Sequence, residues 1–358
     1  MVVGIGTELA TEGLAPAPAV DRRRALRLPR SPKIVVGLSI LAFFVLLAIF
    51  GPIVRPYDPS ESFANAPVPL PPSAAHWLGT TQLQQDVFSQ LLVGGSSMLV
   101  VAAIGGLVAT VLSVIIGVTA GYLGGLTDDL LSMLANIFLV LPALPLLIIM
   151  FGFLGGPTTG GGSDGGASVS NNNSLLVIAL IISVTGWAFG ARVLRAQTLS
   201  LRNRDYVDSA RIAGERWWRI IASEILPNLV PVVATSFLFT VLYAVGTYTA
   251  LAFLGLVNPN WNWGAMLFYA QLSNAELTGY WWWFIPPGLA IALLGTALVL
   301  LNFGIDEFIN PRLRAAGMTG RPGRRARRAG GRQEFAMTPV IRAATEAATE
   351  ANAGAGRP

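Results

Sequence analysis

The chain has no cysteine and a single histidine, His76. The first absence excludes a disulfide framework, thiol redox chemistry and any cysteine-ligated zinc or iron-sulfur site. The lone imidazole argues against a histidine metal cluster and a Ser-His-Asp triad. Charge is also scarce, at 12% of residues, against about 25% in an ordinary soluble domain. Hydrophobic residues supply 53% of the chain, and the mean hydropathy is +0.60. A length of 358 residues would suit two or more soluble domains, but this composition describes a membrane protein.

A membrane-spanning helix needs about 20 apolar residues to cross about 30 Å of hydrocarbon. Six stretches meet that requirement without an Asp, Glu, Lys or Arg: Ile34 to Val54, Ser97 to Tyr122, Leu130 to Leu154, Ser174 to Ala191, Leu229 to Val257 and Trp281 to Ile305. The fourth is short and is expected to continue past Arg192, whose side chain can reach the interface. Of the 24 basic residues, six precede the first span, one (Arg55) follows it, seven lie from Arg192 to Arg219, and ten follow Ile305. With both termini inside, 23 of the 24 face the cytoplasm, as the positive-inside bias requires. The reading is an all-α polytopic protein with six transmembrane helices and both termini cytoplasmic. Residues 1-33 form an N-terminal segment without a small-residue cleavage site, 34-307 the transmembrane domain, and 308-358 a basic, low-complexity tail.

The segment Arg55 to Ser96 begins Pro-rich and ends with Val87, Phe88, Leu91 and Leu92 at helical spacing. It predicts a short helix, either lying on the outer membrane face or simply connecting. The Gly-rich run from Gly155 to Asn173 reads as a flexible outer linker, since no Gly-Lys-Ser/Thr follows it. The basic cluster from Arg312 to Arg332 suits solvent or anionic lipid headgroups; without interleaved aromatics it does not suit nucleic acid.

The loop from 200 to 228 carries more pattern than a connector needs. Asp205 is a candidate helix cap, Asp208 favours the positive helix end, and Gly214 suits a left-handed closing position. A second helix is expected from Glu215 to Leu226, with Pro227 marking a break before the fifth span. Tyr206, Ala210 and Ala213 share one face of the first helix, with Ser209 beside them. That face would admit a partner surface closely; equally, the loop could be no more than two amphipathic helices on a basic connection.

The order Asp208-Ser209-Ala210, then Gly214, then Leu226-Pro227 resembles the EAA motif of bacterial ABC importer permeases, in which Glu-Ala-Ala is followed by Gly, a second helix and Leu-Pro. Asp208 stands for the Glu, Ser209 and Ala210 for the two Ala, and Gly214 for the Gly. Further segments resemble the C-type permease subunit of dipeptide/oligopeptide importers: Ser31-Pro32-Lys33, Tyr57-Asp58-Pro59, His76-Trp77-Leu78-Gly79-Thr80, Asp86-Val87-Phe88-Ser89, Phe253-Leu254-Gly255-Leu256, Trp263-Gly264-Ala265-Met266 and Asn310-Pro311-Arg312-Leu313-Arg314. The likeness runs from about residue 30 to 314. Where relatives read Gly-Arg-Asp, this chain has Gln84-Gln85-Asp86.

The resemblance implies a type I ABC importer permease architecture and half of a translocation pore. It also implies a second homologous permease subunit, two ATPase subunits and an extracytoplasmic substrate-binding protein as partners, besides membrane lipid. With no P-loop the chain holds no ATPase site and binds no cofactor directly; ATP is used by the partner subunits. The resemblance makes Tyr206, Asp208, Ser209, Ala210, Ala213, Gly214, Glu215, Leu226 and Pro227 the ATPase-coupling loop. Thr185, Trp187, Tyr243, Thr247 and Tyr248, with Ser183 and Thr249, either line the substrate path or pack helices together. Peptides are the expected substrate, with nickel or glutathione as alternatives within the same permease type. An ion-coupled secondary transporter would place ionisable groups inside its spans, and none of the six stretches has one.

Overall fold

A computed structural model describes residues 32–63, 69–153, 171–257 and 261–309. Among these described residues eleven α-helices follow one another: α1 (Pro32–Val54), α2 (Val87–Leu123), α3 (Gly125–Val140), α4 (Ala143–Phe153), α5 (Asn171–Leu201), α6 (Asp205–Ile212), α7 (Trp217–Ile220), α8 (Leu226–Phe253), α9 (Trp263–Leu272), α10 (Ala275–Thr278) and α11 (Trp281–Ile309). A π-helical turn, Ile221–Ile225, joins α7 to α8. Among the described residues, five helical segments are long and apolar enough to cross a membrane, and six if α3 and α4 count as one bent span.

Helix α2 is the axis on which α1, α5 and α8 pack. Its 37 residues rise about 55 Å, well beyond the hydrocarbon thickness. It starts ten residues before the expected span, so Val87 to Leu92 form its first turns rather than a separate outer helix. The cause is its cap: the Asp86 carboxylate accepts the Ser89 amide at 2.7 Å and the His76 ring nitrogen Nδ1 at 3.0 Å. Close approach to α5 depends on small residues. A Cβ at Gly117 would run into the Ala191 carbonyl oxygen, so only glycine fits that crossing.

The expected third span, Leu130 to Leu154, is two helices rather than one. Leu141 leaves the helical region at φ −66°, ψ 130°, and α4 departs from α3 at 89°. Pro142 causes the break, because it offers no amide to the preceding turn and drives Leu141 into extended backbone. Helix α5 continues past Arg192 to Leu201, as expected, and begins at Asn171 within the segment read as linker. The rest of that Gly-rich run, residues 155–170, lies outside the described residues, as do residues 1–31 and the tail from 310.

Inter-helix hydrogen bonds supplement apolar packing. Thr110 and Thr240 hydroxyls lie 2.8 Å apart between α2 and α8, and Ser113 donates to the Trp187 carbonyl at 2.6 Å between α2 and α5. Near the start of α2, separate motif segments converge. His76 sits against Tyr57 and Phe63 at ring separations of 5.1 and 4.8 Å, and Gln90 donates to the Pro59 carbonyl. Trp263 and Trp282 donate their indole N–H groups to the Leu91 and Thr80 carbonyls.

Candidate functional site: the loop between α5 and α8

Helix α6 is attached to the ends of the membrane helices by a small core of its own. Val207 is fully buried, in one cluster with Val118 and Tyr122 of α2, Leu194 of α5, and Ile220, Ile225 and Leu229 downstream; Ala210 packs against that cluster. Burying a valine side chain is worth about 1.5–3 kcal/mol, enough to fix an eight-residue helix that would not persist alone.

Val207 is the buried position of α6 and Ala210 is partly buried beside it, so Ala210 is less open than the face expected to include it with Tyr206 and Ala213. The surface left free carries Asp205, Tyr206, Asp208, Ser209, Ile212 and Ala213. Ile212 is 87% exposed. Asp205 is the first helical residue rather than the cap; Arg204 holds the cap position without a side-chain hydrogen bond. Asp205 and Asp208 both stand in the first turn, where carboxylates favour the positive end of the helix. Ser209 donates back to the Asp205 carbonyl at 2.7 Å.

The closing turn follows the sequence expectation. Gly214 has φ +79°, its amide donates to the Arg211 carbonyl at 3.0 Å, and the Glu215 amide donates to the Ala210 carbonyl at 3.2 Å. This pair of bonds is a Schellman closure, which requires the left-handed backbone that glycine accepts most readily. Arg211 spans two elements: its Nη1 is 3.0 Å from Asp208, its Nε reaches the Tyr122 hydroxyl at 3.5 Å, and its guanidinium lies 5.2 Å above the Tyr122 ring. The Tyr122 hydrogen bond, with Asp208 adding to it, holds the guanidinium pKa above its ordinary value.

The second loop helix differs from expectation. Helix α7 starts at Trp217, two residues late, and runs through the π turn into α8, so Pro227 does not interrupt the path from Trp217 to Phe253. One wider turn before the proline accommodates its missing amide and bulky ring: the Leu226 amide donates to the Ile221 carbonyl, five residues back. Glu215 pairs with Arg219 at 3.0 Å. Trp217 and Trp218 are both about half exposed.

The candidate path residues divide. Trp187 and Tyr248 are buried inside the chain's own core, as are Ser183 and Thr247. Thr185 and Tyr243 are only partly buried, and their hydroxyls meet at 2.9 Å between α5 and α8. Packing thus accounts for Trp187 and Tyr248. Two features at this end have no place in the sequence reading: the Val207 anchor and an ion pair of Arg195 with Asp128, at 2.5 and 2.7 Å. Val207 could have been found as the aliphatic residue three before Ala210; the ion pair depends on a contact 67 residues apart. Among the described residues, no group of three or more His, Asp or Glu could hold a metal ion.

Comparison with known proteins gives the same picture. Residues 113–315 match the family model described as binding-protein-dependent transport system inner membrane component, and residues 22–72 that of the N-terminal TM domain of oligopeptide transport permease C. The chain is 31% identical over 290 residues to the dipeptide transport system permease protein DppC of Bacillus subtilis, covering 80% of this chain and 84% of that one. It is 30% identical to the oligopeptide transport system permease protein OppC of the same organism, over 80% of this chain and 88% of that one. The glutathione transport system permease protein GsiD of Pectobacterium atrosepticum is 29% identical, over 82% and 90%. This is a multi-pass membrane protein with the helical architecture of a type I ABC importer permease, and it belongs to the family of binding-protein-dependent transport system inner membrane components.

Proposed function

We propose that the chain is a permease subunit of an ATP-driven peptide importer in a bacterial plasma membrane, with both termini cytoplasmic. It forms half of the pore with a second permease, receives peptide from an extracytoplasmic binding protein, and is driven by two ATPase subunits. The chain itself catalyses nothing and binds no cofactor. The observation that carries this reading is the geometry of α6: a short helix, fixed by Val207 and closed at Gly214, that leaves an acidic and apolar surface free at one end of the bundle. A connecting loop needs no such attachment, whereas a helix that passes on a partner's motion does.

The permeases named above serve dipeptides, oligopeptides and glutathione. All are peptides or a peptide derivative, which supports that substrate class. In this account Asp205, Tyr206, Asp208, Ser209, Ile212 and Ala213 meet the ATPase, while Gly214, Glu215, Leu226 and Pro227 set the angle at which α6 joins α8. Nucleotide then biases a pair of permeases between outward and inward openings.

The test is uptake by proteoliposomes holding the full complex, with labelled di- and tripeptides in competition with glutathione. Uptake that requires ATP and binding protein, and that unlabelled peptides suppress, is the expected result. ATP-dependent uptake that peptides leave untouched would overturn the substrate class.

A further inference from the structure

Helix α3 is an arm between two joints. At one end Gly124 and Gly125 stand in succession at φ +69° and +55°, a corner between α2 and α3 that side chains resist. At the other, Leu141 and Pro142 turn the chain by 89° into α4. Between them α3 meets α5 through Ala135, its one buried residue, and through Phe138, whose ring lies 5.4 Å from that of Trp187.

Its polar attachment is to α5. Asp128, in the first turn of α3, takes Nε and Nη2 of Arg195 at 2.5 and 2.7 Å and the Ser132 hydroxyl at 2.9 Å. This two-pronged geometry fixes direction as well as distance. Two further arginines hold the corner itself: Arg202 donates to the Gly121 carbonyl at 3.3 Å, and Arg211 of α6 reaches Tyr122. Arg195 and Arg202 lie on the stretch leading from α5 into α6. A displacement of α6 must therefore pull on the α2–α3 corner, and Arg195 is the point at which it can turn α3 about its joints.

We propose that the Asp128–Arg195 pair transmits motion from the α6 loop to α3, making Arg195 a positioning residue that swings α3 as a rigid arm between Gly124–Gly125 and Leu141–Pro142. The proposal rests on the reading of α6 as the ATPase-coupling helix. Asp128 gives α3 a charged handle, and Arg195 holds that handle from the helix that continues into the loop. Without the pair, loop motion would be taken up at the glycine corner and α3 would stay behind.

The chain's lack of cysteine permits a direct test. Spin labels are placed on cysteines at Met133 of α3 and Val111 of α2, both exposed, and their separation is measured in the complete transporter with and without trapped ATP. The expected result is an ATP-induced shift in the parent that is lost in Arg195→Gln and in Asp128→Asn. The nucleotide-free distance and co-purification of the ATPases should be unchanged. The exchange Asp128→Arg with Arg195→Asp should restore the shift. A shift of parental size in Arg195→Gln overturns the proposal, as does no shift in the parent. Single variants that change the nucleotide-free distance or fail to assemble also overturn it, because the pair would then build the fold rather than move it. Binding-protein-stimulated ATP hydrolysis by the unlabelled complex is scored separately; its absence would instead count against α6 as the coupling helix.

Discussion

The Glu215 amide donates to the Ala210 carbonyl at 3.2 Å across Gly214, which joins the end of α6 to the approach to α8 through a single left-handed residue. A Cβ at Gly214 would meet nothing within 4 Å, so any cost of substitution there comes from the backbone alone.

Gly214 variants should accordingly rank by backbone preference rather than by size. Asn tolerates the left-handed region, Ala pays about 1–2 kcal/mol, and β-branched Val pays more. Binding-protein-stimulated ATP hydrolysis at equal permease abundance should fall in the order Gly, Asn, Ala, Val. Equal loss in Asn and Val variants would contradict the ranking.

Val207 is the anchor of α6, so Val207→Ala should loosen the loop at a cost of about 2 kcal/mol while leaving every span intact. Limited proteolysis should then cut between Arg202 and Arg219 faster than in the parent, with membrane insertion unchanged. Unaltered cleavage would show that α6 is held by other contacts.

Gln84 holds φ +59° on the segment before α2, a region of backbone that glycine adopts far more readily. Gln84→Gly relieves that strain and should raise stability by about 1 kcal/mol, seen as a higher midpoint in thermal unfolding of the detergent-solubilised protein. A lower midpoint would mean that the glutamine side chain contributes more than its backbone costs.

The distribution of basic residues predicts the orientation. Cysteine at Ser163 should react with an impermeant reagent outside intact cells, whereas cysteine at Ser200 or Thr319 should react only after permeabilisation. Outside labelling at Thr319 would reverse the C-terminus.

Much of this protein was legible because its signals are long or positional. Apolar runs located the spanning segments, and Gly214 announced its turn through the demand for positive φ. What escaped depended on single residues within those signals. Pro142 breaks a helix whose hydropathy never falters, so a window average passes over it. Asp86 lengthened α2 by accepting an amide in a segment that already looked helical. Pro227 suggested a stop, yet a π turn upstream absorbed it. The face of α6 was misleading because a small residue such as Ala210 suits an exposed or an inner position equally; packing chose Val207 and Ala210 as the inner face and left Ile212 outside. The Arg195–Asp128 contact joins residues 67 apart and has no local signal at all.

The central claim is that the free face of α6 meets the ATPase. Ile212, 87% exposed, is the place to ask: a cysteine there, carrying a photoactivatable cross-linker, is irradiated in the assembled transporter. The expected result is a cross-link to the ATPase subunit whose yield changes when ATP is trapped. A cross-link to the binding protein, or none to the ATPase in a complex that hydrolyses ATP normally, would contradict it.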